Sequence, residues 1–163
     1  MSKRTFIRIC AAAAVAALAA CASLAPPPAT IADTAARTPE LSTLSGLIQQ
    51  AGLADTLRGA GPYTVFAPSN EAFKAVPAET MAKLAADKDL LRSVLTYHVL
   101  PAKVTSAEVA NGNAKTVQGA TLALAKAGSF VTVEDAVVQT ADVAASNGVV
   151  HIIDRVLMPP AKK

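Results

Sequence analysis

The sequence predicts an α+β domain, with helices early in the chain and a mainly antiparallel sheet system after them. Two observations support this fold class. Between residues 41 and 100, apolar side chains recur mostly at helical spacing, as in Leu44, Leu47, Ile48 and Ala51. From residue 111 onward the spacing becomes strand-like, and isolated glycines separate short apolar segments. No internal repeat or second domain is evident.

The first 20 residues have the pattern of a signal peptide. Lys3, Arg4 and Arg8 precede an apolar run of 12 residues that ends at Ala20. A membrane-spanning helix needs about 20 such residues, so this run is the apolar centre of a signal and not a transmembrane anchor.

Cys21 follows the signal in the sequence Leu18-Ala-Ala-Cys21, which resembles the lipobox of bacterial lipoproteins. The resemblance implies that the Cys21 thiol receives a diacylglyceryl group and that Cys21 becomes the first residue of the mature protein. The alternative is an ordinary secretory signal with an incidental thiol at Cys21. Residues 21–40, which include three consecutive prolines, are expected to form a flexible tether of roughly 25 Å.

The positive net charge of the whole chain comes from the predicted signal peptide and does not indicate nucleic-acid binding. The precursor carries +3, from 15 basic and 12 acidic residues, and three of the basic residues belong to the signal. The mature chain is therefore near neutral and has no basic stripe for nucleic acid. Cys10 leaves with the signal and Cys21 would be lipidated, so no internal disulfide is expected.

The helical half divides at proline and glycine residues. A helix ending at Gly52 and a short one ending near Arg58 are expected first, followed by a strand at residues 63–67 that is covered on both faces. Ser69 is placed to cap the next helix, which turns Phe73 toward the core. Further helices are expected after Pro77 and after residue 87 or 89.

The second half is expected to form the sheet system. Segments of strand character fall near residues 115–118, 121–126, 130–134, 137–143 and 149–157. The single domain should therefore span residues 41–160, with a short tail at residues 161–163.

Three blocks in fixed order resemble the signature of the fasciclin domain family: Tyr63-Thr-Val-Phe-Ala-Pro-Ser-Asn-Glu-Ala-Phe73, Leu95-Thr-Tyr-His-Val-Leu-Pro101 and Asn147-Gly-Val-Val-His-Ile-Ile-Asp-Arg-Val-Leu157. The resemblance covers nearly the whole mature domain. It implies a β-wedge of two mainly antiparallel sheets with a helical layer along one edge. It also implies a role in cell adhesion and extracellular-matrix contact.

The side chains that could take part in catalysis or metal binding are expected instead to have structural roles. His98 ends an apolar helical stripe, and His151 lies within an apolar strand, so both rings are expected to be buried and hydrogen-bonded. Asp154 is the nearest acid but points to the other face of the strand, which disfavours a metal site. No nucleophile elbow is present, so we expect no enzyme activity and no cofactor; Asp154 is expected to bond at a sheet margin.

For partner binding, the family resemblance implies two places. The first is Tyr97 with His98, and the second is Asp142 with Val143, where the family's Asp-Ile element would fall. Val143 replaces the isoleucine of that element. The alternative for all four residues is packing within the domain.

The sequence therefore predicts a lipid-anchored module of the cell envelope that acts by protein or matrix contact. Ala22 and Ser23 after the cysteine resemble the start of outer-membrane lipoproteins, if the cell is Gram-negative. The alternative is a periplasmic protein that binds a small ligand or a polysaccharide. The scarcity of aromatic residues, 4% of the chain, disfavours a stacked sugar platform.

Overall fold

The computed structural model describes residues 29–160. The predicted signal peptide, Cys21, residues 22–28 and the tail at residues 161–163 lie outside the described residues. No helix within the described range is both long enough and apolar enough to span a membrane.

Six α-helices and seven strands form within residues 29–160. The helices are α1 (Ile31–Arg37), α2 (Ser42–Gln50), α3 (Ala54–Arg58), α4 (Asn70–Lys74), α5 (Ala78–Ala86) and α6 (Lys88–Tyr97). The strands are β1 (Tyr63–Pro68), β2 (Val99–Leu100), β3 (Gly112–Lys115), β4 (Thr121–Ala127), β5 (Phe130–Val133), β6 (Ala136–Ala145) and β7 (Gly148–Ile153). A 3₁₀ turn, Pro39–Leu41, joins α1 to α2.

The strands follow one another in the order β2-β1-β7-β6-β5-β4-β3. All neighbours are antiparallel except β1 and β7, which run in parallel from Tyr63 beside Gly148 to Pro68 beside Ile153. Strand β6 bends at two register shifts on either side of Thr140, so the seven strands divide into two halves that share β6. Residues after β3 return toward β2, where the Val117 N–H donates to the Val99 carbonyl at 2.8 Å. The predicted α+β wedge of mainly antiparallel strands is confirmed.

Strand β1 separates two cores, because its side chains alternate between its faces. Val65 and Ala67 pack with residues of the helical layer, and Phe66 packs with the apolar side chains enclosed by the curved sheet. The strand is therefore covered on both faces, as its continuous apolar sequence predicts.

Residues 31–37 differ from the prediction of a tether that extends to residue 40. Thr30 and Asp33 form a capping box at the start of α1, and Ile31, Ala32 and Ala35 are buried. The helix escapes detection because two of its three buried side chains are alanines, which give a weak apolar stripe. Residues 31–37 therefore belong to the folded domain and not to the predicted tether.

Two strand boundaries also differ. Strand β3 begins at Gly112, whereas the sequence predicts a strand at residues 115–118; those residues instead lead into a turn in which the Thr116 N–H bonds to the Ala120 carbonyl. Strand β7 ends at Ile153 instead of residue 157. The Asp154 N–H still bonds to the Val137 carbonyl of β6, and the Leu157 N–H bonds instead to the His98 ring.

Candidate partner-binding surface

His98 follows the last residue of α6 and is 2% exposed. Its Nδ1 lies 2.7 Å from the Val94 carbonyl oxygen, and its Nε2 accepts the Leu157 N–H at 3.0 Å. An acceptor at Nε2 requires the proton to be on Nδ1, so the ring is neutral and donates to Val94. Burial lowers the pKa of His98 to about 4, against the smaller opposing effect of the Val94 hydrogen bond.

Tyr97 is 3% exposed. The hydroxyl lies 3.2 Å from the Thr121 carbonyl oxygen and 3.4 Å from Oε1 of Glu134. Burial, followed by the Glu134 charge, raises the pKa of Tyr97. Tyr97 and His98, the residues expected to contact a partner, therefore have largely internal side chains, because the last turn of α6 faces the core.

His151 is also buried, at 1% exposure, but uses its nitrogens in the opposite way. Its Nδ1 accepts the Asp142 N–H at 3.2 Å, and its Nε2 lies 2.9 Å from the Val104 carbonyl oxygen. The ring stacks on Phe66, with 5.6 Å between centroids and 22° between planes. Each histidine therefore joins two separate segments of backbone.

Asp142 lies in the bent part of β6 with a positive φ of 59°. Its carboxylate accepts the Ser106 N–H at 2.7 Å and also accepts the Ser106 hydroxyl. These two hydrogen bonds, the hydroxyl one first, lower the pKa of Asp142. Val143 is half-buried and packs against the helical-layer core. Asp142 is thus exposed, but both of its carboxylate oxygens are hydrogen-bonded to Ser106.

The remaining predicted residues have backbone partners. The Ser69 hydroxyl accepts the Ala72 N–H at 3.3 Å at the start of α4, and Phe73 is buried. Asp154 accepts the Val137 N–H at 2.7 Å through Oδ1, while its own N–H donates to the Val137 carbonyl. Asp154 therefore fastens the end of β7 to the start of β6.

The arrangement offers no base for nucleophilic chemistry at these histidines, because both ring nitrogens of each histidine are engaged by backbone groups. Within residues 29–160, no group of three His, Cys, Asp or Glu side chains is placed to hold a metal ion.

Asn147 forms hydrogen bonds to three separate segments of the chain, a role that the sequence does not predict. Its amide donates to the carbonyls of Leu57 and Gly59 at 2.7 and 2.9 Å, and its Oδ1 accepts the Ile31 N–H at 2.9 Å. Its backbone carbonyl accepts the Tyr63 N–H. The Asn-Gly pair at residues 147–148 signals a hairpin, but the partners from α1 and α3 are distant in sequence and leave no local pattern.

Two open grooves flank the segment that follows β7, and both are lined by Arg155, Val156 and Met158. The first, which we call the Glu134 groove, has a volume of about 530 Å³ and is also lined by Tyr97, Thr121, Glu134 and Asp135. The second, the Val76 groove, has a volume of about 560 Å³ and is also lined by Ala72, Ala75, Val76, Pro77 and Thr80. Met158 is 48% exposed between them.

Within residues 29–160 the chain forms an α+β domain with two buried, hydrogen-bonded histidines and two open surface grooves. The chain belongs to the Fasciclin domain family, whose sequence pattern matches residues 39–159. That match confirms the family predicted from the three sequence blocks.

Similar proteins are found in bacteria and in animals. The chain is 44% identical over 133 residues to Protein sll1483 of Synechocystis sp., covering 80% of this chain and 74% of that protein. It is 43% identical over 141 residues to transforming growth factor-beta-induced protein ig-h3 of Sus scrofa, covering 86% of this chain and 21% of that protein. It is 40% identical over 137 residues to the cell surface glycolipoprotein MPB83 of Mycobacterium bovis, covering 81% of this chain and 61% of that protein.

A solved structure has the same fold. The FAS1 domain pair from the insect cell adhesion molecule fasciclin I superposes with a TM-score of 0.60 at 28% identity. The match covers 72% of this chain and 45% of that chain. This chain is therefore similar to one part of that longer molecule.

Proposed function

We propose that this protein is a lipid-anchored adhesion or recognition module of the cell envelope, which acts by contact with a protein or matrix ligand. Membership of the Fasciclin domain family supports adhesion or recognition, since fasciclin I is a cell adhesion molecule. The lipobox-like sequence ending at Cys21 supports the anchor, and one similar protein is a cell surface glycolipoprotein.

The observation that carries the proposal is the position of Ala29 in the fold. Residue 29 bonds to the turn between β6 and β7, where the Ser146 N–H donates to the Ala29 carbonyl at 2.9 Å. Only residues 22–28 separate Cys21 from that point, and a chain of this length spans at most roughly 25 Å when extended. An acylated Cys21 would therefore hold this end of the domain close to a bilayer.

Lipidation is tested by replacing Cys21 with serine and labelling cells with a tagged fatty acid. The expected result is loss of label and accumulation of the uncleaved precursor, because a hydroxyl does not replace the thiol as acyl acceptor. Cys10→Ser is the matched control, since Cys10 lies inside the predicted signal and should have no effect on labelling. Normal labelling of Cys21→Ser would contradict the anchor.

Exposure and adhesion are tested on whole cells that produce the full chain. Digestion by added protease, together with attachment to coated surfaces that falls when the gene is deleted, is the expected result. Protection from protease would favour the alternative of a periplasmic protein that binds a small ligand or polysaccharide. The Glu134 groove offers little to a sugar ring, because Tyr97, the aromatic residue in its lining, is buried.

A further inference from the structure

The parallel pair of β1 and β7 gives the domain two distinct ends. The chain reaches the pair at Tyr63 and Gly148, beside the Asn147 hydrogen bonds to Ile31, and we call this the tether end. Both strands then run in the same direction for six residues, about 20 Å, to Pro68 and Ile153, which mark the far end. A tether at residues 21–28 would place the tether end toward the membrane and the far end away from it.

The two grooves lie at the far end. Arg155, Val156 and Met158 follow directly after β7, and the helix α4 that precedes Val76 begins directly after β1. Both grooves are therefore built from the segments that leave the far end of the strand pair. A surface in this position is the part of an anchored domain that a partner outside the membrane meets first.

The two grooves differ in chemistry. The Val76 groove is mainly apolar, with alanine, valine and proline side chains opposite Val156 and Met158; its polar lining is Thr80 and Arg155, and it shares Arg155 with the Glu134 groove. The Glu134 groove has two carboxylates, those of Glu134 and Asp135, and one guanidinium, that of Arg155. Among the described residues, no ion pair links Arg155 to either carboxylate.

We propose that these two grooves together form the docking surface for a protein segment that presents an apolar side chain next to a basic one. The apolar side chain enters the Val76 groove against Met158, where its burial supplies the main attraction. The basic side chain enters the Glu134 groove beside Asp135, which adds orientation and salt sensitivity. The inference rests on the proposed function and specifies the partner and the face used.

The probe is a library of random nine-residue peptides displayed on phage, selected against the full chain purified in detergent. Enriched peptides are expected to contain an apolar residue beside Lys or Arg, and their binding should weaken with added salt. Met158→Asp is expected to reduce binding of the enriched peptides about tenfold. Asp135→Asn, which removes one charge at an exposed position, should reduce binding about threefold and lower the salt dependence.

Three controls accompany these variants. Met158→Ala tests whether loss of apolar contact alone weakens binding. Lys103→Glu changes a charge beside Asn147 at the tether end and should leave peptide affinity within about twofold. Denaturant midpoints should agree among all four variants, because each altered side chain is exposed.

Enrichment of peptides without a basic residue, binding unaffected by Met158→Asp, or displacement of the peptides by a polysaccharide would each overturn the inference. An absence of enrichment would also overturn it. Attachment of whole cells separates the two proposals: attachment that persists in Met158→Asp cells contradicts the docking surface and leaves the proposed function standing. Attachment that is unchanged when the gene is deleted contradicts the proposed function itself.

Discussion

The Nε2 atom of His98 accepts a hydrogen bond from the backbone N–H of Leu157 at 3.0 Å, and the two residues are 59 positions apart in the sequence. The same ring donates to Val94 one turn earlier in α6. Leu157 belongs to the segment that lines the Glu134 groove. One buried side chain thus connects the end of a helix to the surface proposed for docking.

Replacing His98 with alanine should lower the free energy of unfolding by about 2–4 kcal/mol. The change leaves a cavity, an unpaired Leu157 N–H and one fewer partner for the Val94 carbonyl. Denaturant titration measures the loss, and hydrogen exchange at the Leu157 amide should accelerate. Lys88→Ala, at an exposed position of the same helix, is the control and should change stability by less than about 0.5 kcal/mol. An unchanged midpoint for His98→Ala would show that the ring does not hold the fold.

The free energy of unfolding should also depend on pH through the protonation of His98. The pKa of His98 is about 4 in the folded protein, below its ordinary value of 6.5, so the unfolded chain binds the proton first as pH falls. Stability from this group is therefore complete above pH 6.5 and is lost as pH falls toward 4, by about 3 kcal/mol in total. Thermal unfolding from pH 8 to 4 measures this loss, which should be absent in His98→Ala.

Three carboxyl groups contribute to the pH dependence of stability at lower pH. The pKa values of Asp33, Glu108 and Asp142 are lowered, chiefly by hydrogen bonds from Thr30, Thr105 and Ser106 respectively. Their stabilising contributions are present above their unfolded values of 3.8 to 4.5 and are lost as pH falls through the lower folded values. A loss of stability between pH 6.5 and 4.5 that persists in His98→Ala would contradict the assignment to His98.

Gly148 should tolerate no side chain. A Cβ atom there would lie 1.9 Å from the Tyr63 carbonyl oxygen, which is backbone and is held by the β1–β7 pairing. We expect Gly148→Ala to cost at least about 3 kcal/mol, measured by denaturant titration. Gly46→Ala is the matched control: nothing lies within 4 Å of its added Cβ, and it should stabilise α2 by roughly 0.5–1 kcal/mol. Equal midpoints for the two variants would contradict the close approach of β1 and β7.

Deleting α1 should destabilise the domain strongly. A chain that begins at Thr38 loses the buried side chains of Ile31, Ala32 and Ala35 and the Ile31 N–H that bonds to Asn147. The expected cost is about 3–5 kcal/mol relative to a chain that begins at Ala29. Comparison of thermal midpoints for the two chains tests this. Similar midpoints would mean that residues 31–37 serve only as tether, as the sequence alone predicts.

The sequence reveals those parts of the fold that local patterns determine. The Ser69 cap is a side chain bonded to backbone three residues away, and the continuous apolar run of β1 reflects cover on both faces. The helix α1 is missed because its packing depends on Asn147, more than 100 residues later. The docking surface is also invisible in the sequence, because its lining comes from separate parts of the chain. The two sides of the Val76 groove follow β1 and β7, and the two carboxylates of the Glu134 groove lie between β5 and β6.

The parallel pairing of β1 with β7 also determines when the domain can become complete as the chain is made. The first strand needs the last strand as its neighbour, so the central ladder stays open until the chain is complete to residue 153. Contacts between such distant segments form slowly, because a long loop must close before they are gained. A chain that lacks β7 therefore leaves one edge of β1 without its neighbour, and the full tertiary structure forms only once the last strand has paired.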